Sequence, residues 1–150
     1  MKIAVLGYGT VGSGVVEVLD VNQKLIATRA KEEIEVKYVL DLRDFPGDKI
    51  QEKIVHDYEI ILNDPEIGIV VEVMGGVEPA NTFVRKALEA GKSVVTSNKA
   101  LVAKHGSALL KTAREKNVNF LFEASVGGGI PILRALGSSL TGDEIEEIAG

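Results

Sequence analysis

The sequence predicts a doubly wound α/β domain on a mostly parallel sheet of about six strands. Three observations carry that expectation. Short apolar runs bounded by turn residues alternate with segments of helical periodicity. The run 68–74 (GIVVEVM) is β-branched and nearly all apolar, as expected of a parallel strand covered on both faces. A glycine-rich turn follows the first apolar run directly and leads into a helical pattern.

Each element has its own warrant. Residues 3–6 form a compact apolar run ended by Gly7, a buried strand. Apolar residues at 11, 15, 16, 18 and 19 have helical spacing. Residues 36–42 read as the second strand and 53–56 as a short third. Residues 57–63 make one or two helical turns, stopped by Asn63-Asp64-Pro65. After strand 68–74, Glu78-Pro79 opens a helix to Ala90, with Pro79 in the first turn and Gly91 closing it. Residues 93–96 are a strand, 99–116 a helix with Gly106 as its weak point, and 118–122 a strand. Gly127, Gly128 and Gly129 make a loop, and 130–140 a helix entered through Pro131. Residues 144–149 alternate like a half-exposed strand with no obvious partner.

The chain has 150 residues, enough for one domain that needs no covalent staples. It has no cysteine, which excludes disulfides, thiolate metal sites and a cysteine nucleophile within it. Its net charge of −5 and lack of a long basic block argue against nucleic acid as partner. The apolar start after Lys2 is broken at Gly7 and Gly9, too soon for a signal core, and no apolar run reaches membrane-spanning length. The expectation is a cytoplasmic protein with a small-molecule ligand and no membrane partner.

Gly7-Tyr8-Gly9-Thr10-Val11-Gly12 is G-x-G-x-x-G. Sixteen glycines make chance matches easy, but this one lies between a strand and a helix, where a dinucleotide fingerprint belongs. The first glycine allows the turn, the second lets a pyrophosphate approach the backbone, and the third lets helix and strand pack closely. Amides at the helix start then hold the phosphates. Gly91-Lys92-Ser93 resembles the end of a nucleoside-triphosphate loop, yet it lacks the earlier glycine and lies between a helix and a strand. After the second strand, Asp41 would read both ribose hydroxyls of NAD, whereas Arg43 would read the 2′-phosphate of NADP. The balance falls slightly towards NADP.

Three further segments reach the carboxyl rim of the sheet: Met74-Gly75-Gly76, Thr96-Ser97-Asn98-Lys99, and residues 123–131. Gly75 would let backbone approach a flat ring. Lys99 at a strand end could hold a substrate oxygen and move its proton, or be an exposed lysine at a helix start. Glu123 reads either as a ligand to a hard cation or as a strand-end acid or helix cap. His56 and His105 show no partner constellation in the sequence and receive no role.

The segments GYGTVGSGV, VVEVMGG, VVTSNKALVAKHG and FEASVGGGIPI together resemble the homoserine dehydrogenase family over essentially the whole chain. The resemblance implies a Rossmann-type cofactor domain and interconversion of aspartate 4-semialdehyde and homoserine with NAD(P)H. It implies that residues Gly7 to Gly12 bind pyrophosphate and that Ser97 and Lys99 lie at the nicotinamide end, with Lys99 in proton transfer. It also implies a sodium-like ion on Glu123, by carboxylate or backbone, and on the carbonyls of Val126, Gly128 and Ile130. Family members continue through a substrate and dimerisation domain, so the chain is expected to be the cofactor domain alone. Residues 144–150 would then begin the next domain, the fragment would be monomeric and inactive, and the full-length protein a homo-oligomer. The alternatives are another amino-acid or sugar dehydrogenase of this fold, and a dinucleotide sensor without chemistry. The missing thiolate disfavours an acylating aldehyde dehydrogenase.

Overall fold

In the computed structural model, residues 1–139, 142 and 144–147 are described. Six parallel strands lie in the order β3-β2-β1-β4-β5-β6: β1 Lys2–Leu6, β2 Glu35–Leu40, β3 Ile54–Val55, β4 Ile67–Glu72, β5 Ser93–Thr96 and β6 Phe120–Leu121. The chain winds outward from β1 to β3, then returns to lay β4 on the other side of β1. That reversal leaves a crevice at the carboxyl ends of β1 and β4, where such sheets bind ligands.

Alternation along β1 divides the core. Ala4 and Leu6 join Val70, Val94 and the buried faces of α4 (Ala80–Glu89) and α5 (Lys99–Glu115). Ile3 and Val5 join Val16 of α1 (Thr10–Val21), Val36 and Val39. Helices therefore pack on both faces, and the central strands β1, almost wholly buried, and β4, buried at Ile67, Val70 and Glu72, need the apolar runs that the sequence supplies. In α4, Ala80, Val84, Ala87 and Leu88 fall on one face and are all buried. The short α3 (Tyr58–Leu62) starts where the Asp57 side chain accepts from the Glu59 amide.

Several boundaries differ from the sequence reading. Residues 23–30 of the long crossover form a helix, α2 (Gln23–Ala30), with no buried residue. Pro79 stands one position before α4 as its N-cap. Helix α5 runs unbroken through Gly106, which is buried and whose missing Cβ would meet Val102 Cγ1 at 3.2 Å. The expected helix over 130–140 is reduced to α7 (Ile132–Arg134) followed by a π-helical turn, Ala135–Ser139, and Glu123–Val126 forms a further short helix, α6. Residues 144–147 adopt no strand, and the end of that expected strand, like Leu140, lies outside the described residues. The misses over α2 and after residue 123 fall where few residues are buried, so local pattern has little tertiary contact to enforce it, whereas α5 stays helical through Gly106 because its buried face packs in the core.

The approach of α1 to β1 sets the tightest steric limit. A Cβ on Gly12 would lie 1.9 Å from the Gly7 carbonyl oxygen, whereas one on Gly14 would meet nothing within 4 Å. Gly12→Ala is therefore expected to lower stability by about 2–3 kcal/mol, and Gly14→Ala to raise it by about 0.5–1 kcal/mol through helix propensity. Urea unfolding midpoints of the two variants check both signs.

Candidate functional site

The chain leaves β1 through Gly7, whose φ of +98° favours glycine. The Gly7 amide donates to the Leu40 carbonyl at 2.8 Å and the Val73 amide to the Leu6 carbonyl at 3.1 Å, which locks the turn between the ends of β2 and β4. Gly9 caps α1 with no side chain, and a Cβ there would point into open space. The first-turn amides of α1 lack intrahelical acceptors, and no acid lies in that turn. Backbone donors, a positive helix end and unobstructed space make an anion cradle. The residues present thus fit a pyrophosphate. Thr10 and Val11 can serve it only through backbone, in the case of Val11, or from an exposed rim position, for Thr10. Val11 instead lines a separate apolar groove with Val15, Ile69 and Val71.

A cavity of about 540 Å³ opens from this turn across the carboxyl ends of β1 to β4. Gly7, Gly9 and Gly75 line it, and Tyr58 and Phe83, stacked at 4.2 Å, form an aromatic wall. Asp41, Arg43 and His56 mark its far end. Its size and its mainly apolar lining with a few polar groups suit a nucleoside.

Asp41 and Arg43 had been rival ribose readers in the sequence; the structure joins them. Arg43 Nε donates to Asp41 Oδ1 and Arg43 Nη2 to Asp41 Oδ2, each at 3.0 Å. The Arg43 amide reaches Oδ1 at 3.0 Å and the Tyr8 amide Oδ2 at 2.8 Å. Four donors fill the acceptor sites of this carboxylate. The Arg43 guanidinium, then the two backbone amides, hold its carboxyl well below the usual range despite partial burial. Arg43 Nη2 also donates to the Tyr8 carbonyl at 3.1 Å, which ties the guanidinium to the glycine turn. Asp41 thus orients Arg43, and the arginine keeps donors for an incoming anion.

The sequence reading missed Glu72. It ends β4 fully buried, and its carboxylate accepts from the Met74 amide at 2.9 Å, the Thr96 hydroxyl at 2.5 Å and the Asn98 amide group at 3.4 Å. Asn98 is itself buried. Its Nδ2 donates to the Gly76 carbonyl at 2.5 Å, and its Oδ1 accepts from the Leu101 amide at 3.0 Å as the cap of α5. One network therefore fixes the Gly75-Gly76 turn, the end of β5 and the start of α5. An acid inside an otherwise apolar strand was its signal, since a buried carboxylate must find donors. Ser97 is half-buried, and its amide donates to the Glu72 carbonyl at 3.4 Å. Lys99 is exposed at the first position of α5. Ser97, Asn98 and Lys99 do not line the cavity and stand on the neighbouring rim.

Of the two readings of Glu123, the geometry is that of a helix cap. Its carboxylate accepts from the Leu133 amide at 2.8 Å and the Arg134 amide at 3.0 Å, at the start of α7. Val126, Gly128 and Ile130 are exposed around it. His56, given no role from the sequence, lies between the Asp41 carbonyl and the Asp44 carboxylate, at 2.7 and 3.2 Å.

A parallel sheet of this order, with a glycine turn feeding a helix N-terminus at its switch point, defines a dinucleotide-binding domain of the Rossmann type. A family profile described as the NAD-binding domain of homoserine dehydrogenase matches residues 7–123. The homoserine dehydrogenase of Lactococcus lactis is 43% identical, over all of this chain and 36% of that protein. A crystal structure of a homoserine dehydrogenase from Thiobacillus denitrificans superposes with a TM-score of 0.88 at 42% identity, over 97% of this chain and 34% of that one. A hyperthermophilic archaeal homoserine dehydrogenase in complex with NADPH superposes with a TM-score of 0.74 at 26% identity, over 91% of this chain and 48% of that one. The chain belongs to the homoserine dehydrogenase family, in the region of its NAD-binding domain. It spans about 35% of the length of the curated relatives it matches.

The charge pair predicts a pH signature. A depressed folded pKa contributes stability above the unfolded value near 3.9 and loses it as pH falls through the folded value. Asp41→Asn should therefore cost about 1–2 kcal/mol near neutral pH. Urea titrations should show that difference closing below about pH 4.

Proposed function

We propose that this chain is the dinucleotide-binding part of an enzyme interconverting L-homoserine and L-aspartate 4-semialdehyde, with NADP as the preferred dinucleotide. The observation that carries the reading is the continuous cavity from the α1 N-terminus to the Arg43 guanidinium. Family membership and the names of the relatives support the reaction, and the archaeal NADPH complex supports the cofactor.

In this reading, the backbone amides of Gly9, Thr10, Val11 and Gly12 hold the pyrophosphate. The adenosine lies against Tyr58 and Phe83, and Arg43, oriented by Asp41, meets the ribose 2′-phosphate. Arginine suits a phosphate because its fork donates two parallel bonds. The Gly75 turn, Ser97 and Asn98 place the nicotinamide end, held by the Glu72 network. Lys99, exposed at the helix start, moves the proton of the substrate oxygen. The bound dinucleotide supplies the hydride. A sodium-like ion on the carbonyls of Val126, Gly128 and Ile130 belongs to the same proposal. Glu123 would contribute its backbone oxygen, because its carboxylate already accepts two amides.

Calorimetric titration with NADPH and NADH tests the binding. Saturable binding with preference for NADPH is expected, and Arg43→Ala should weaken NADPH roughly tenfold, the worth of one charge-assisted phosphate contact, while leaving NADH nearly unchanged. Binding of neither dinucleotide would sink the reading. The 150-residue chain is expected to give no homoserine-dependent NADPH formation, measured by absorbance. A chain of the relatives' full length should turn over and lose at least about a hundredfold in kcat on Lys99→Ala.

A further inference from the structure

Both nitrogens of the His56 ring face acceptors. Nδ1 is 2.7 Å from the Asp41 carbonyl oxygen, and Nε2 is 3.2 Å from Asp44 Oδ1. A neutral imidazole has one N–H and satisfies one of these contacts; only the imidazolium donates to both. The ring lines the cavity beside Arg43. Two basic side chains therefore clasp one turn, Arg43 on the Asp41 carboxylate and His56 on the Asp41 carbonyl. Gln51 holds the far side of that turn, accepting from the Phe45 amide at 2.5 Å and donating to Asp44 Oδ1 at 3.1 Å.

We propose that His56 is a specificity-determining residue for the ribose end of the dinucleotide: protonated, it fixes the turn that carries Arg43 and supplies a second positive charge beside the 2′-phosphate. The proposal rests on reading the cavity as a dinucleotide site. Its consequence is that discrimination between phosphorylated and unphosphorylated ribose weakens as pH rises. The charges explain why. Arg43 is already paired with Asp41, and Asp44 is a further acid on the same turn. Asp41, Arg43, Asp44 and His56 together carry one negative charge when His56 is neutral and none when it is protonated. A phosphate dianion is repelled in the first state and tolerated in the second.

The elements packed around the ring present few other ionisable groups. Burial pushes the Tyr8 and Tyr58 hydroxyls above the ordinary phenol value. Helix α4 and its cap present Phe83 and Pro79, which are not ionisable. Asp57, next in sequence, is turned to the Glu59 amide. The Asp41 carbonyl, followed by the Asp44 carboxylate, raises the His56 pKa above its usual value. The charged form therefore persists towards neutrality and is lost as pH rises through that raised value.

Adenosine 2′,5′-bisphosphate and adenosine 5′-monophosphate differ only in the 2′-phosphate. Their affinities for this chain, measured by calorimetry from about pH 6.5 to about pH 9, test the proposal. The preference for the bisphosphate should fall roughly fivefold over that range, the scale of one exposed ion pair. It should be low and flat in His56→Gln, and high and flat in His56→Lys, which stays charged. The phosphate's own second ionisation, near about pH 6, is common to wild type and His56→Gln, so the difference between their profiles isolates His56. A flat wild-type profile, or the same fall in His56→Gln, overturns the role of His56 and leaves the dinucleotide reading standing. Binding of neither probe, with no binding of NADPH, overturns the reading and the proposal together.

Discussion

Helix α1 meets the turn after β1 with the Gly12 Cα against the Gly7 carbonyl, a contact with no room for a side chain. Much else depends on it. The close approach aims the first-turn amides of α1 over the carboxyl end of the sheet, where they can face a phosphate. It also draws Gly7 within reach of the Leu40 carbonyl, and Tyr8 within reach of the Asp41 carboxylate. The glycine turn before α1 and the Asp41–Arg43 pair are thus parts of one hydrogen-bonded corner.

The second fixed point is the buried Glu72 carboxylate. Its cost in desolvation is offset by three donors, from the β4 turn, β5 and the cap of α5. Among the described residues, no buried side-chain polar atom lacks a hydrogen-bond partner. A network of this kind is stiff, because losing any member leaves the others unsatisfied in a dry interior. That network places Lys99, itself exposed, at a defined helix start.

At the ribose end, charges that look independent along the chain form one unit. Asp41 and Arg43 are two residues apart, and their rivalry as readers was legible in the sequence. Their pairing was not, because it depends on the turn bending the guanidinium back over the carboxylate. His56 was read as isolated for the same reason: its partners come from 12 and 15 residues away. Glu123 shows the converse. The sequence left open an ion ligand or a cap, and the two amides it accepts come from a helix that periodicity had placed too long.

The sequence by itself determined the order of the six strands and of helices α1, α3, α4 and α5, the position of the glycine turn and the family, since each is written in short-range pattern: apolar runs, 3.6-residue periodicity and glycine spacing. These features survive because a doubly covered parallel strand and a close helix approach admit few residue types. Tertiary structure alone decided which polar groups meet. Glu72 with Asn98, Asp41 with Arg43 and Tyr8, and His56 with Asp44 are joined by the folding of separate strand ends onto one rim. A hydrogen bond depends on distances of a few tenths of an ångström, and sequence spacing carries no such information across a crossover connection.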